Sequence, residues 1–180
     1  MTSPFRPIIG TLGYVISPCG QKVLLIHRNT RPGDLHLGKY NGLGGKLERN
    51  EDVVYGMCRE IYEESGLACR SLCLAGTISW PGFGKQGEDW FGFVFRILST
   101  EGNIKGSSPE GTLEWIPVTQ IMELPLWDGD RYFLPLVLDP DGPVFHGVLP
   151  YKDGKPVSWS VSLGGARSVF SAPKFEFGPL

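Results

Sequence analysis

Apolar residues in this chain fall into short runs separated by glycine, proline and polar residues, and the period of each run predicts an element. Residues 8–16 (IIGTLGYVI) and 22–27 (KVLLIH) read as two strands joined by a turn at 17–20. Residues 29–48 are polar and glycine-rich, too long for an ordinary connection and therefore a candidate working loop. The helical period is clearest over 52–65. There Asn50 is the expected N-cap, Glu51 and Asp52 suit the positive end of the helix dipole, and Gly66 is the expected stop. Strands follow near 69–80, 90–98 and 111–116, then a short helix at 118–123 and a second at 128–138 that contains Pro135. Two further strands fit 143–148 and 157–163, and residues 164–180 are small, polar and aperiodic.

Composition narrows this picture. The chain has 180 residues, enough for one domain with a substantial core. Its 25 glycines and 15 prolines are scattered between apolar runs, as turns between short strands would be. No apolar run reaches membrane-spanning length and the start of the chain lacks a signal-peptide pattern, so a cytoplasmic location is expected. Lys plus Arg number 17 and Asp plus Glu 19, a net charge of −2. That balance speaks against a polymeric nucleic acid as partner, because phosphate contacts demand a basic surplus. Cys19, Cys58, Cys69 and Cys73, with His27, His36 and His146, show no zinc spacing, and the thiols are expected to be idle.

The helix carries the chemistry. Glu60, Glu63 and Glu64 are spaced i, i+3, i+4 and share an arc of about 100° on one face. Val53, Val54, Met57, Cys58 and Ile61 occupy the adjoining arc and must face the core. The carboxylates therefore lie along the edge where the helix meets what covers it. Like charges that close raise each other's pKa, and a divalent cation removes the conflict. An all-oxygen cluster selects Mg²⁺, Mn²⁺ or Ca²⁺ over zinc. Upstream, residues 41–48 (NGLGGKLE) form a loop whose glycines let a backbone approach a ligand closely.

Taken together, the loop and helix spell Gly45-x5-Glu51-x7-Arg59-Glu60-Ile61-x-Glu63-Glu64-x-Gly66-Leu67. This pattern resembles the signature box of the Nudix hydrolases at every defined position. The resemblance implies an α/β/α sandwich on a central mixed β-sheet, and hydrolysis of nucleoside diphosphates linked to another moiety. It implies that Glu60, Glu63 and Glu64 hold Mg²⁺ (or Mn²⁺) with help from a Gly44 or Gly45 carbonyl. Arg59 would orient Glu51 or Glu63, and Glu60 and Glu64 both stand as candidates for the general base.

The likeness extends to the MutT-type branch, and within it to the enzymes that destroy oxidised purine nucleoside triphosphates. It is carried by residues 40–46 (YNGLGGK), 127–136 (WDGDRYFLPL) and 145–147 (FHG), and it runs from about residue 8 to 163. It implies a Nudix domain at 1–163 and a C-terminal extension at 164–180. Glu110 falls where the family places a fourth metal carboxylate. Asn41 and Asp130 would hydrogen-bond the purine edge, Trp127 would stack on the base, and Lys46 and Arg28 would meet phosphates. The expected reaction converts a substrate such as 8-oxo-dGTP to the monophosphate and pyrophosphate. The chain departs from the branch at Gly129, where the first of two adjacent aspartates is expected. Pro81 lies near where ADP-ribose-cleaving relatives carry a proline, which keeps a diphosphate-derivative substrate as an alternative. A non-catalytic nucleotide-binding or RNA-associated module and a 5′-end RNA hydrolase are further alternatives. Phe170, Phe175 and Phe177 would dock the tail on the body or on a second subunit.

Overall fold

The computed structural model describes residues 4–30, 32–33 and 36–172. Its strands and helices follow in chain order. They are β1 (Ile8–Ile16), β2 (Lys22–His27), β3 (Tyr40–Asn41), α1 (Val53–Ser65), β4 (Ala68–Trp80), β5 (Trp90–Glu101), β6 (Ser107–Ser108) and β7 (Gly111–Pro117). A 3-10 helix (Val118–Glu123) leads to α2 (Asp130–Leu138), β8 (Phe145–Val148), β9 (Tyr151–Lys152), β10 (Lys155–Pro156), β11 (Ser160–Leu163) and β12 (Val169–Ser171).

One large mixed sheet runs in the order β11-β8-β4-β5-β1-β2-β7-β6, with β12 added to β4 and β3 to β2. The β1–β5 and β4–β8 pairs are parallel. The β1–β2, β2–β7 and β4–β5 pairs are antiparallel. Strand alternation divides the buried side chains into two layers. On β2, Val23 and Leu25 face a cluster that holds Ile121 of the 3-10 helix and Phe133, Leu134 and Val137 of α2. Leu24 and Ile26 face the opposite cluster, with Met57, Cys58 and Ile61 of α1. A helix on each face of a mixed sheet is the expected α/β/α sandwich.

The helix α1 starts at Val53, and its cap differs from expectation. Asp52, in extended backbone, accepts hydrogen bonds from the Val54 and Tyr55 amides at 2.8 and 2.9 Å, the geometry of an N-cap. Asn50 cannot take that role because a turn precedes the cap. The Glu51 amide donates to the Glu48 carbonyl at 3.3 Å, and Glu51 Oε2 accepts from the Glu48 amide at 2.9 Å. At the other end Gly66 adopts a left-handed φ of 78° and donates to the Tyr62 carbonyl at 2.8 Å, the expected stop. The segment around 128–138 becomes helical only from Asp130, with Pro135 inside the helix.

The pairing of β1 positions the site. Its C-terminal end pairs with β2 at only two registers, Val15 with Leu24 and Ile16 with Val23. The rest of that edge is taken by the glycine-rich loop. Leu43 and Gly13 exchange amide–carbonyl bonds, the Thr11 amide donates to the Gly45 carbonyl at 2.8 Å, and the Leu47 amide donates to the Ile9 carbonyl at 3.0 Å. Gly44 sits there at φ 148°, and a side chain on it would collide with the Thr11 carbonyl oxygen. Only glycine fits.

Within 164–180, Val169–Ser171 forms β12 and pairs antiparallel with β4, bringing Phe170 opposite Leu72. The Arg167 guanidinium donates to the Leu136 and Asp139 carbonyls at the end of α2. Phe175 and Phe177 lie outside the described residues. The cysteines carry no disulfide among the described residues, and Cys58, Cys69 and Cys73 are buried. Among the described residues no helix is long and apolar enough to cross a membrane.

The cap assignment is directly checkable. Asp52→Ala is expected to lower unfolding free energy by about 1 kcal/mol. Asn50→Ala should change it by less than about 0.5 kcal/mol. Urea unfolding of both variants measures the difference, and equal losses would refute the assignment.

Candidate functional site

A guanidinium clasps the loop to the helix. Arg59 of α1 forms a two-point ion pair with Glu51, Nε to Oε1 at 2.6 Å and a terminal nitrogen to Oε2 at 3.0 Å. That same terminal nitrogen donates to the Lys46 carbonyl at 3.2 Å, and the other reaches Glu60 at 2.9 Å and Glu63 at 3.1 Å. The Arg59 and Glu51 side chains are 13% and 7% exposed, so this pairing is shielded from solvent, whereas Glu63 is 47% exposed and stays at the rim. Arg59 holds the Glu51 carboxyl below its ordinary pKa. The two orientations of Arg59 that the sequence left open are thus both realised, with Glu51 the closer partner.

Glu64 points the other way. It is buried, and its Oε2 accepts the Gly44 amide at 3.0 Å. Burial pushes its pKa up from the ordinary glutamate value, with Glu110 and then Glu60 adding to the rise. Glu60 is raised as well, by burial first, against the pull of Arg59. Glu60 abuts the loop so closely that a Cβ on Gly45 would stand 2.6 Å from its Oε1. Glu110, 46 residues beyond Glu64 in sequence, comes into this field from the β6–β7 turn and is ion-paired with Arg28.

The carboxyl groups of Glu60, Glu64 and Glu110 therefore share one electrostatic environment. As the side chains lie here, no three His, Cys, Asp or Glu residues among those described close on a single point as a metal cage. The donor set nonetheless fits a hard divalent cation: it is all oxygen, and its mutual repulsion is what such an ion relieves. The Gly45 carbonyl already accepts from Thr11, which leaves the Gly44 carbonyl as the better-suited main-chain donor.

From Glu64 a cleft of about 190 Å³ runs along β1 to the start of α2. Gly44, Gly45, Glu64 and Arg28 line one end; Asn41, Trp127, Asp130, His36 and Tyr151 line the other. Asn41 of β3 is thus brought together with Trp127 and Asp130, which lie in the turn before α2 and at its first residue. Lys46 lies instead in an adjoining recess with Lys85 and Glu88, its Nζ 5.7 Å from the Trp90 ring centroid. Arg28 lines the cleft with its guanidinium engaged by Glu110.

Two residues at the far end carry no sequence signal. His36 Nδ1 lies 2.9 Å from both Trp127 Nε1 and Asn41 Nδ2, and its ring meets Trp127 edge-on at 5.4 Å. Tyr151 explains the departure at position 129: a side chain on Gly129 would collide with the Tyr151 hydroxyl and approach Leu149 to 2.7 Å. The Gly129 amide hydrogen-bonds that hydroxyl, and burial followed by the charges of Asp130 and Asp128 drives the phenol pKa up, keeping it protonated. A neutral hydroxyl thus fills the place where a carboxylate side chain was expected. Asp130 is pushed up to about 7 by burial, against the opposing charges of Lys39 and Arg131.

Comparison with known proteins identifies the family. The NUDIX domain family matches residues 8–137. The chain is 34% identical over 128 residues to mouse oxidized purine nucleoside triphosphate hydrolase, covering 71% of this chain and 78% of that one. It is 31% identical over 134 residues to the uncharacterized Nudix hydrolase YvcI of Bacillus subtilis, covering 72% and 79%. A crystal structure of a MutT protein from Bacillus halodurans superposes with a TM-score of 0.74 at 29% identity, covering 86% of this chain and 97% of that one. The chain belongs to the Nudix hydrolase family.

Asp130 gives a pH signature. An unfolded aspartate loses its proton near pH 4, whereas the folded residue keeps it to about pH 7. The folded state binds the extra proton across that window, so stability falls as pH rises from about 4 to 7 and then levels. Asp130→Asn should abolish that part of the fall. Urea unfolding at pH 5 and pH 8 for both proteins checks it; an unchanged pH dependence in the variant would contradict the assignment.

Proposed function

We propose that this Nudix hydrolase cleaves purine nucleoside triphosphates, oxidised ones such as 8-oxo-dGTP among them, to the nucleoside monophosphate and pyrophosphate, in the manner of a nucleotide-pool sanitising enzyme. One observation carries the reading. A single cleft joins the glycine loop and Glu64 at one end to Trp127, Asn41 and Asp130 at the other. A phosphate chain suits the first end and a flat, hydrogen-bonding base suits the second. The name of the mouse relative, an oxidized purine nucleoside triphosphate hydrolase, supports the same substrate class.

Glu60, Glu63, Glu64 and Glu110, with the Gly44 carbonyl, would hold Mg²⁺ or Mn²⁺, which supplies Lewis acidity at the phosphate oxygens and an acidified water. Arg59 keeps Glu51 ionised and pairs with Glu60, which abuts the loop, and with Glu63 at the rim. Of the two candidates for the base, Glu64 is favoured. It lines the cleft, whereas Glu60 is outside that lining and is engaged by Arg59. Water adds to a phosphorus of the chain, its proton passes to the carboxylate, and the bond from that phosphorus to the bridging oxygen of the leaving group, monophosphate or pyrophosphate, breaks. Trp127 offers a stacking face, and Asn41 and Asp130 offer polar atoms to the base edge.

A panel with Mg²⁺ at fixed enzyme tests the proposal: dGTP, 8-oxo-dGTP, other oxidised purine triphosphates, ADP-ribose and 5′-triphosphate RNA. The expected result is turnover of triphosphates with at least tenfold preference for an oxidised purine, about 1.4 kcal/mol of discrimination. Glu64→Gln should lower kcat by about a hundredfold or more. ADP-ribose or RNA as the preferred substrate would overturn the substrate assignment.

A further inference from the structure

We infer that His36 is a positioning residue that fixes the Asn41 amide so that its carbonyl, not its NH₂, is offered to the base, and that the cleft thereby selects purines presenting an N–H donor at that point. The inference deepens the proposed function and rests on it for the identity of the ligand.

Trp127 sets the tautomer of His36. An indole Nε1–H can only donate, and it donates to His36 Nδ1 at 2.9 Å. Nδ1 must therefore be unprotonated, which places the neutral ring's proton on Nε2. Asn41 Nδ2 lies 2.9 Å from the same nitrogen. A flipped amide would set its oxygen against a lone pair, so the NH₂ group faces the ring. The tautomer of one residue thus dictates the rotamer of the next. Asn41 Oδ1 is left buried with no hydrogen-bond partner among the described residues. Asn41 lines the cleft, as do His36, Trp127 and Asp130.

The histidine backbone is itself anchored. The Lys39 amide donates to the His36 carbonyl at 2.9 Å, and the Gly38 amide donates to the Arg28 carbonyl at 2.7 Å, closing the turn that leads into β3. The Phe83 ring lies 6.1 Å from the imidazole at a steep angle. The ring is therefore held by its neighbours before any ligand arrives. An unpaired buried carbonyl demands a donor, and an amide or exocyclic amine of a purine supplies one. A base with only an acceptor at that point leaves the carbonyl unpaired and is rejected.

The test compares kcat/KM for purine triphosphates with and without the exocyclic amine: the guanine and hypoxanthine pair, and the adenine and unsubstituted purine pair. The native chain should favour the amine-bearing member of at least one pair by tenfold or more. His36→Phe keeps an aromatic ring but removes the acceptor, and should reduce that preference to under threefold. His36→Gln, whose carbonyl can accept from both Trp127 and Asn41, should restore most of it. A preference unchanged in His36→Phe would overturn the inference. A second measurement needs no substrate: ¹⁵N chemical shifts of the His36 ring in the native protein should show Nδ1 unprotonated and Nε2 protonated at neutral pH. A protonated Nδ1 would sink the proposal. If no triphosphate is turned over, the proposed function fails, and the tautomer measurement still decides the role of His36.

Discussion

The ion pair between Arg59 and Glu51 is the contact on which the site depends. It joins a residue in the second turn of α1 to one that precedes the helix, and the same guanidinium reaches the Lys46 carbonyl in the glycine loop. Both side chains are almost fully covered, so neither charge is tolerable alone; removing one partner of such a pair costs about 3–5 kcal/mol. The arrangement orders three pieces of chain at once. With the loop clasped from below by Arg59 and hydrogen-bonded along β1 from above, Gly44 has one position, and its amide meets the Glu64 carboxylate.

A second constraint comes from the sheet. Because β1 and β2 pair only at one end, the other end of β1 has an open edge, and the glycine loop occupies it as a substitute strand. The cleft lies beside this junction, which explains how residues distant in sequence come to line it. The helix α1 on one face contributes Glu64. The start of α2 on the other face contributes Asp130, and β3 contributes Asn41. The carboxylate end is crowded with negative charge and the far end is aromatic and largely neutral, with Asp130 itself holding its proton to about pH 7.

Much of this could be read from the sequence, for identifiable reasons. Long strands such as β1 and β5 and the helix α1 have enough residues for a period to emerge, and their observed bounds lie within about three residues of the expected ones. The carboxylates were legible because helical spacing alone places Glu60, Glu63 and Glu64 within an arc of about 100° on one face. The two-residue strands β3, β6, β9 and β10 were not, since two residues carry no period. Nor was β12, whose residues are all exposed and which is recruited by backbone pairing to β4. His36 and Tyr151 escaped for a different reason. One sits in a loop and the other in a short hairpin, and each acquires its meaning only from a tertiary partner: Trp127, 91 residues from His36, and Gly129, whose missing side chain makes room for the Tyr151 hydroxyl. The misplaced N-cap reflects competition between neighbouring polar residues, settled by the turn that Glu48 and Glu51 make together.

The central claim is that one cleft holds a nucleotide lengthwise, phosphates at the glycine loop and base against Trp127. Paramagnetic relaxation by Mn²⁺ tests it most directly, using a slowly hydrolysed purine nucleoside triphosphate analogue bound to the native chain. The account predicts strong Mn²⁺ broadening of the ³¹P resonances, little broadening of the base protons, and upfield ring-current shifts of those base protons that disappear in Trp127→Leu. Base protons broadened as strongly as the phosphorus nuclei, or unshifted by the loss of Trp127, would contradict it.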